Sequence, residues 1–355
     1  MVCLRTLYLE TSLTPIADSD PYFNFLSQTL GTKDIEVINL AGDASARRYF
    51  RVVDKKISYV LMCWEPFKDE KAYPFLNVRN HFAKHEVNVP EVIAISKEEG
   101  FVLLEDLGDL TLERKFWESQ HQEHALDNYK QAIDEIIKIH YACTKDRKPD
   151  YFAFKIEFNV DRLLWEMNYA REHLLEKFLN FKFTEDESTL LEKTFTDVCT
   201  RLDREPKYIA HRDYHSRNLM LKNGIVRVID FQDARLGAVQ YDLVSLLRDS
   251  YVNLNSKMTT TLLDYYLEKR KETGEKPVVR EHFDLVYELQ SIQRCLKACG
   301  SFASFFNTRQ DTRYLKYLRP TLQKVRQALL VFPEYRELHD LLADRGLFEM
   351  ETKFS

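Results

Sequence analysis

The sequence changes its pattern near Gly108, and this change restricts the folds that the chain can adopt. Before it, short runs rich in β-branched and aromatic residues alternate with turn-forming residues, which is typical of β-strands. After it, apolar residues recur at the spacing of amphipathic helices, most clearly over 126–140. A chain of 355 residues is also long for one compact core. These features predict a bilobal α+β fold, with a first lobe over 1–107 and a mainly helical second lobe over 108–355.

The first lobe is predicted to contain five strands and one helix. The predicted strands cover 35–41, 47–53, 58–63, 92–96 and 101–107, and the helix covers 73–86. Small and turn-forming residues at 42–45 join the first two strands as a hairpin, and Pro90 prevents the helix from continuing. The lobe is therefore expected to form a five-stranded antiparallel sheet with its helix inserted after the third strand.

The second lobe is predicted to be helical except for one short β region. Helices are expected over 126–140, 163–179, 190–202 and most of the chain from 241, with a loop at 145–159 and a break at 273–277. A short strand is expected at 208–210. The runs 219–221 and 225–229 flank Asn223-Gly224, which favours a tight hairpin because both turn residues must take positive φ.

The composition is that of a globular protein, with 45% hydrophobic and 30% charged residues. The net charge of −5 argues against a general nucleic-acid binder, since such proteins need a surplus of Lys and Arg. No stretch reaches the ~18 apolar residues of a membrane span, and Arg5 and Glu10 interrupt the apolar patch at the start. Six scattered cysteines without a C-x-x-C pair predict free, mostly buried thiols. We expect a cytoplasmic monomer with no nucleic-acid or membrane partner.

The most informative segment is 211–218, His-Arg-Asp-Tyr-His-Ser-Arg-Asn, together with Asp230. Phosphoryl transfer needs one carboxylate to accept a hydroxyl proton, and an amide and a second carboxylate to hold Mg²⁺ on the phosphates. Asp213 and Asn218 lie five residues apart in a loop, and the predicted hairpin returns Asp230 to the side of Asn218. Mg²⁺ prefers such oxygen ligands. The alternative is a polar loop that only connects two strands.

This segment resembles the H-x-D-x-x-x-x-N signature of the aminoglycoside phosphotransferases and choline kinases, which are relatives of the protein kinases. His215 stands where protein kinases carry Lys, as it does in those small-molecule kinases. The resemblance implies a protein-kinase-like fold that uses ATP and Mg²⁺, with Asp213 as the catalytic base. It also implies Asn218 and Asp230 as metal ligands and His211 as a residue that fixes the loop.

Three neighbouring residues have roles that stay open at this point. His215 could contact phosphate or make a structural hydrogen bond. Arg217 could bind a phosphate bidentately or lie exposed on the loop. Asp242 resembles the family's second Asp, but a carboxylate at a helix N-terminus favours a structural role.

The nucleotide is expected under the turn at 42–45 and against the end of the fifth strand at 104–107. Small residues let backbone N–H groups approach phosphate. The residues predicted to contact the nucleotide are Gly42, Asp43, Ala44, Ser45, Arg47, Arg48, Glu105 and Leu107. The expected phosphate-binding Lys is missing from the third strand, and the helix after it lacks the expected Glu. One arginine among 47, 48 and 51 is expected to replace that Lys, unless these arginines are ordinary surface residues.

Four blocks, 42–51, 103–109, 241–249 and 293–302, resemble the anomeric sugar kinases that phosphorylate N-acetylmuramate and N-acetylglucosamine at carbon 1 in cell-wall recycling. This resemblance implies an N-acetylated amino sugar as substrate. Arg294 and Lys297 could then bind the carboxylate of N-acetylmuramate or, alternatively, lie on a solvated helix face. A kinase for another hydroxyl, of the aminoglycoside, choline or homoserine type, and a non-catalytic nucleotide-binding protein are the alternatives.

Overall fold

A computed structural model describes residues 20–40, 47–55 and 57–350 of the chain. They form two compact units: the first holds the chain up to Asn77 together with Val89–Gly108, and the second holds Val78–Asn88 and the chain from Asp109. Within the described residues, no helix has both the length and the apolar character needed to cross a membrane. The predicted turn at 42–45 lies outside the described residues.

The first unit contains an antiparallel sheet of five strands, which confirms the predicted sheet. Its strands are β1 (Glu36–Leu40), β2 (Arg48–Asp54), β3 (Ile57–Cys63), β4 (Val92–Ser96) and β5 (Phe101–Glu105), in the spatial order β1-β2-β3-β5-β4. The alternation of the strands buries Val52, Leu61 and Leu103 on one face. Helix α1 (Pro21–Leu30), which the sequence analysis did not predict, packs Leu26 into this core.

Two predicted boundaries in the first third of the chain are wrong by two residues. Strand β5 ends at Glu105 and not at Leu107, because the Asp106 side chain accepts a hydrogen bond from the Gly108 N–H at 2.8 Å and turns the chain. Helix α2 (Pro74–Lys84) ends before Glu86, whose φ of 58° is left-handed and incompatible with a continuing helix.

The second unit is mainly helical, as predicted. Its helices after α2 are α3 (Leu112–Glu118), α4 (Leu126–Ile137), α5 (Val160–Ala170), α6 (Glu185–Asp203), α7 (Gln240–Leu247), α8 (Ser256–Glu272), α9 (Arg280–Arg309), α10 (Leu318–Leu329) and α11 (Arg336–Asp344). The π-helical segments Lys138–Cys143 and Arg171–Phe178 extend α4 and α5. A capping box at Thr184 and Glu187 starts α6 five residues before its predicted beginning at 190.

Two short strand pairs lie within the second unit. β6 (Tyr208–Ala210) pairs with β9 (Arg235–Gly237), and β7 (Leu219–Lys222) pairs with β8 (Ile225–Val228), all antiparallel. The Asn223-Gly224 hairpin is confirmed, with φ of 53° and 78° at its two turn residues. β9 was not predicted, because its sequence Arg-Leu-Gly contains no β-branched or aromatic residue, in contrast to the equally short Tyr-Ile-Ala of β6. The chain between β6 and β7, residues 211–218, carries the predicted motif.

Helix α9 is the longest element and packs closely against α5. A Cβ atom added to Gly300 would lie 2.5 Å from the Cα of Ala170, so only glycine allows this distance between the helices. Sixteen residues of α9 are buried, among them Gln290, Gln293 and Arg294. Helix α9 therefore directs polar side chains as well as apolar side chains into the interior of the second unit.

Candidate active site

The loop 211–218 is held in place by the carboxylate of Asp242 in the first turn of α7. Asp242 is fully buried and accepts hydrogen bonds from the backbone N–H of His211 at 2.6 Å and of Arg212 at 2.9 Å. Arg212 has a φ of 85°, a conformation that costs energy for any residue except glycine. Asp242 therefore stabilises a strained loop, a larger role than that of a helix N-terminal carboxylate.

Other bonds fix the two ends of the loop. The ring Nε2 of His211 lies 3.0 Å from the Ile229 carbonyl oxygen, which connects the start of the loop to the end of the β7–β8 hairpin. The Asp249 carboxylate accepts a hydrogen bond from the Ser216 N–H at 2.8 Å. Asp249 was not assigned a role from the sequence, because nothing in its spacing connects it to Ser216.

Asp213 lies at the centre of the loop and faces three cationic side chains. Its Oδ1 is 3.4 Å from Arg294 Nη2 and 3.8 Å from Lys297 Nζ, and its Oδ2 is 3.8 Å from Arg212 Nε. Burial opposes ionisation, but the charges of Lys297, Arg212 and Arg294 outweigh it and hold the pKa of Asp213 well below its usual range. Asp213 is therefore a carboxylate at neutral pH.

Arg294 and Lys297 are not on a solvated helix face, so that alternative is wrong. Their side chains are only 9% and 15% exposed, and both point from α9 toward Asp213. Arg294 also donates a hydrogen bond from Nε to Ser245 Oγ at 3.0 Å and lies over the ring of Tyr241. Its position is thus fixed by α7, the helix that also carries Asp242.

Asn218 and Asp230 lie next to each other and close to Asp213. Asn218 Nδ2 donates to the Asp213 carbonyl oxygen at 2.9 Å and to Asp230 Oδ2 at 3.3 Å. Asp230 has a φ of 63°, and its Oδ1 accepts from Gln232 Nε2 at 2.9 Å. An amide oxygen and a carboxylate at adjacent positions are the donors that suit Mg²⁺, so these two residues fit such an ion. The structure brings together all three motif residues predicted from the sequence.

An open pocket of about 180 Å³ lies beside Asp213 within the second unit. Its lining includes Asp213, His215, Tyr251, Arg294, Lys297 and Phe302. The full lining holds two carboxylates, Asp213 and Asp249, three cations, Arg248, Arg294 and Lys297, and the aromatic rings of Tyr251 and Phe302. It therefore offers space for a small polar molecule directly against the carboxylate of the motif.

Residues 36–282 match the phosphotransferase enzyme family. The chain belongs to this family. It is 31% identical over 334 residues to a protein of Neisseria meningitidis serogroup B named N-acetylmuramate/N-acetylglucosamine kinase, with 94% of this chain and 97% of that protein covered. A protein of the same name from Pseudomonas aeruginosa is 32% identical over 310 residues, with 87% and 88% covered. The resemblance to these kinases is confirmed.

Solved phosphotransferase structures share the fold at low identity. A choline/ethanolamine kinase family protein from Mesorhizobium loti has a TM-score of 0.56 at 15% identity, covering 93% of this chain and 96% of that one. A choline kinase from Streptococcus pneumoniae has a TM-score of 0.52 at 14% identity, covering 86% and 100%. The predicted protein-kinase-like fold is therefore confirmed. The family match and the kinase-named relatives show that the chain is a small-molecule kinase.

Arg217 of this phosphotransferase is held by protein groups. It donates to both oxygens of Glu113, from Nε at 2.7 Å and from Nη2 at 3.0 Å, and its guanidinium lies 3.7 Å from the centre of the Tyr251 ring. Arg217 is thus half-buried and paired with a carboxylate of α3. The His215 ring packs edge-on against Tyr251, and burial lowers its pKa. His215 lines the pocket, and Arg217 contacts Tyr251, another residue of the lining.

The three arginines near β2 have different surroundings in the first unit. Arg51 forms two hydrogen bonds with the buried Asp106, from Nε at 2.7 Å and Nη2 at 3.1 Å. Arg47 lies over the ring of Trp64 and Arg48 over that of Phe50, with Arg48 exposed. Arg51 therefore joins β2 to the end of β5. Arg47 and Arg48 remain the predicted nucleotide contacts.

The two predicted nucleotide residues near the end of β5 differ in exposure. Glu105 is half-buried, and its Oε2 accepts a hydrogen bond from the Glu91 N–H at 3.3 Å. Leu107 is buried, with 7% of its surface exposed. The other predicted contacts lie outside the described residues, so the structure does not test them: Gly42, Asp43, Ala44 and Ser45.

Proposed function

We propose that the protein transfers the γ-phosphoryl group of ATP to the anomeric hydroxyl of an N-acetylated amino sugar, N-acetylmuramate or N-acetylglucosamine, in peptidoglycan recycling. The observation that carries this proposal is the pocket beside Asp213, whose lining includes the carboxylate of the phosphotransferase motif. Its volume of about 180 Å³ is below the ~300–1,000 Å³ of pockets for drug-sized ligands, which suits a single sugar ring. The names of the relatives support this substrate class.

Asp213 is proposed to receive the proton of the attacking hydroxyl. With its pKa held low, Asp213 is a weak base and does not ionise the sugar before reaction. A largely dissociative phosphoryl transfer requires little early deprotonation, so the proton passes to Asp213 as the new O–P bond forms. The anomeric hydroxyl also suits a weak base, because it is more acidic than an ordinary alcohol. Orientation of that hydroxyl is then the main contribution of Asp213.

Asn218 and Asp230 are proposed to hold Mg²⁺, which neutralises charge on the β- and γ-phosphates. Asn218 also bonds to the Asp213 carbonyl, so its contacts connect the proposed metal ligands to the proposed base. In the first unit we propose that residues 42–45, Arg47, Arg48, Glu105 and Leu107 contact the nucleotide. We further propose that residues up to 107 form the nucleotide-binding lobe of a cytoplasmic monomer and that the rest forms the catalytic lobe.

Arg294 and Lys297 favour an acidic sugar over a cationic acceptor. The side chains of Arg294 and Lys297 are largely buried and both face Asp213, whereas Asp249, the other carboxylate of the pocket lining, is bonded to Ser216. An anionic group of the substrate in this pocket would therefore lie close to two cations. N-Acetylmuramate carries such a group, its lactyl carboxylate, whereas choline and aminoglycosides are cations that the same residues would repel. We therefore propose that N-acetylmuramate gains more from Arg294 and Lys297 than N-acetylglucosamine does.

The product identifies the reaction. After incubation with ATP and Mg²⁺, each amino sugar of a panel is assayed for its reducing end and by phosphorus NMR. We expect the reducing end to disappear and the phosphorus resonance to couple to the anomeric proton. A product that still reduces copper and carries its phosphate on carbon 6 would overturn the proposed position of transfer. Absence of reaction with any amino sugar would overturn the substrate class.

A further inference from the structure

Two histidines and an aspartate come together in the second unit, away from the pocket residues. His81 and His85 lie one helical turn apart at the end of α2, and Asp146 follows the π-helical segment after α4. One ligand atom from each residue lies within 4.8 Å of the other two. This distance allows all three to bind one ion without a change in the backbone.

His81 is the unusual member of this cluster. It is 1% exposed, and neither ring nitrogen makes a hydrogen bond of good geometry within the described residues, although the Cys143 backbone lies close enough to raise the pKa of the ring slightly. One face of its ring is covered by Tyr151, stacked at a centroid distance of 3.9 Å. A buried polar group without a well-formed hydrogen bond costs folding free energy, and an ion bound to His81 would offset that cost.

The protonation states suit metal binding. Burial, reinforced by the charge of His85, lowers the pKa of His81 to about 4, so its imidazole is neutral at pH 7 and can donate a lone pair. Hydrogen bonds from Lys84 and His85 hold the pKa of Asp146 well below its usual range, so Asp146 is a carboxylate. These protonation states are the ones that metal binding needs, and the proposal itself depends on the positions of the three side chains.

We propose that His81, His85 and Asp146 bind a divalent transition-metal ion of the zinc class. Two imidazoles and one carboxylate form a known three-residue ligand set for Zn²⁺, which completes its coordination with water. Such donors favour the later first-row ions over Mg²⁺, which prefers oxygen ligands alone. The site is therefore chemically distinct from the proposed Mg²⁺ ligands Asn218 and Asp230.

The proposed ion would connect α2 to the chain that follows α4. Immediately after α2, the Asn88 backbone N–H donates to Glu135 Oε2 in α4 at 2.7 Å. The Asn88 carbonyl oxygen accepts from the Val228 N–H at 2.7 Å, two residues before Asp230. The ion would thus add to an existing attachment of α2, and its expected effect is to raise the thermal stability of the protein.

Lys84 competes with the ion and provides a sharp test. Its ammonium group contacts Asp146 Oδ2, which also lies 3.0 Å from His85 Nε2. The hydrogen bonds of Asp146 to the described residues all fall on Oδ2, so Oδ1 remains available to an ion. The Lys84 side chain is 49% exposed and can move away at little cost. Removing its charge should therefore tighten binding of the ion.

The test uses the full chain, freed of metal with a chelator and without nucleotide. Zn²⁺ is titrated by calorimetry, and Co²⁺ is added as a spectroscopic probe of tetrahedral nitrogen–oxygen ligation. We expect one ion per chain and a rise in Tm on adding Zn²⁺. His85→Ala and Asp146→Asn should each weaken Zn²⁺ binding at least about tenfold, while Lys84→Met strengthens it.

Controls separate this site from other sources of binding. His282→Ala removes an exposed histidine that contacts Glu205, and it should leave Zn²⁺ affinity unchanged. Asp230→Ala should also leave it unchanged. Circular dichroism checks the folding of each variant. His85 and Asp146 are replaced and His81 is not, because replacing a fully buried side chain disturbs folding more often. No saturable binding, equal affinity in His85→Ala and Asp146→Asn, or loss only in Asp230→Ala would each overturn the proposal.

Discussion

Asp213 lies in a strongly positive environment, and this sets its behaviour as a base. Three cations surround its carboxylate, and Lys297 acts on it most strongly among them. A carboxylate with a depressed pKa stays ionised across the whole neutral range, so its own titration should not limit activity there. The surrounding cations therefore make Asp213 a weaker base, but they keep its carboxylate charged and hold it in one orientation.

Removing Lys297 should make Asp213 a stronger base that is protonated more easily. In Lys297→Met the pKa of Asp213 rises toward its ordinary value, because the largest favourable charge is lost. Activity falls when the base is protonated, so the acid limb of the kcat/KM profile should move to higher pH. Lys269→Met, at an exposed lysine paired with Glu272, is the control. Identical pH profiles for wild type and Lys297→Met would contradict the assigned coupling, whatever happens to KM.

Asp213 and Asp230 should fail in different ways when replaced. Asp213→Asn should lower kcat by at least about 10²-fold while keeping Mg-ATP affinity within a few-fold, because it touches the acceptor and not the nucleotide. Asp230→Ala should lose Mg²⁺-dependent nucleotide binding, since phosphate charge is left uncompensated. Calorimetry with ATP and Mg²⁺ distinguishes them. Normal turnover in Asp213→Asn, or unchanged Mg-ATP affinity in Asp230→Ala, would each remove the corresponding role.

At the scale of elements, the loop 211–218 depends on helix α7. The first turn of α7 supplies Asp242 for the start of the loop, and Asp249, two residues beyond its end, binds Ser216. His140 Nε2 lies 3.2 Å from Asp242 Oδ2, and its Nδ1 lies 2.8 Å from Tyr266 Oη. A buried network therefore connects α7, α8 and the segment after α4 to the strained Arg212.

The sheet of the first unit contains a pair that can be tested against the proposed nucleotide contacts. Arg51→Met leaves the buried Asp106 without its guanidinium partner, so the free energy of unfolding should fall by about 1–3 kcal/mol. Arg48→Met, three residues earlier on the same strand and exposed, should cost little stability and raise the KM for ATP. Urea unfolding and steady-state kinetics measure both. Equal stability of the two variants would show that the Arg51–Asp106 pair contributes nothing.

At the scale of the whole molecule, the second unit is organised around α9. This helix packs against α5, α6, α7 and α10, and it carries the two cations that face Asp213. The close approach at Gly300 sets the distance from α9 to α5, one turn after Lys297. The position of the pocket cations therefore depends on the packing of α9 against α5, a helix outside the loop 211–218.

Gly300→Ala should test this dependence. The added methyl group would meet the Ala170 backbone, which cannot move as a flexible side chain would, so we expect a loss of about 1–3 kcal/mol in the free energy of unfolding. Displacement of α9 should also raise the KM for the sugar. Ser304→Ala on the same helix is the matched control, with a change in stability within about 0.5 kcal/mol. A Gly300→Ala variant as stable as Ser304→Ala would contradict the tight packing.

The features that the sequence determined by itself are local ones. Strand alternation and turn residues predicted the five-stranded sheet, and Asn223-Gly224 predicted its hairpin, because these depend on backbone conformations set by neighbouring residues. The motif spacing placed Asp213, Asn218 and Asp230 together for the same reason, since a single hairpin separates them. The strand β9 was missed because its sequence, Arg-Leu-Gly, contains no β-branched or aromatic residue.

Tertiary structure alone decided which distant residues meet. Helical spacing showed that Arg294 and Lys297 share a face, but only packing against α7 turned that face toward Asp213. The same holds for Arg51 with Asp106, and for His81 with Asp146, which are far apart along the chain. The periodicity of a helix shows which of its faces is apolar, and it leads one to expect that charged residues beside that face are exposed to solvent. Their partners become defined only when the chain has folded and water has been excluded from between them.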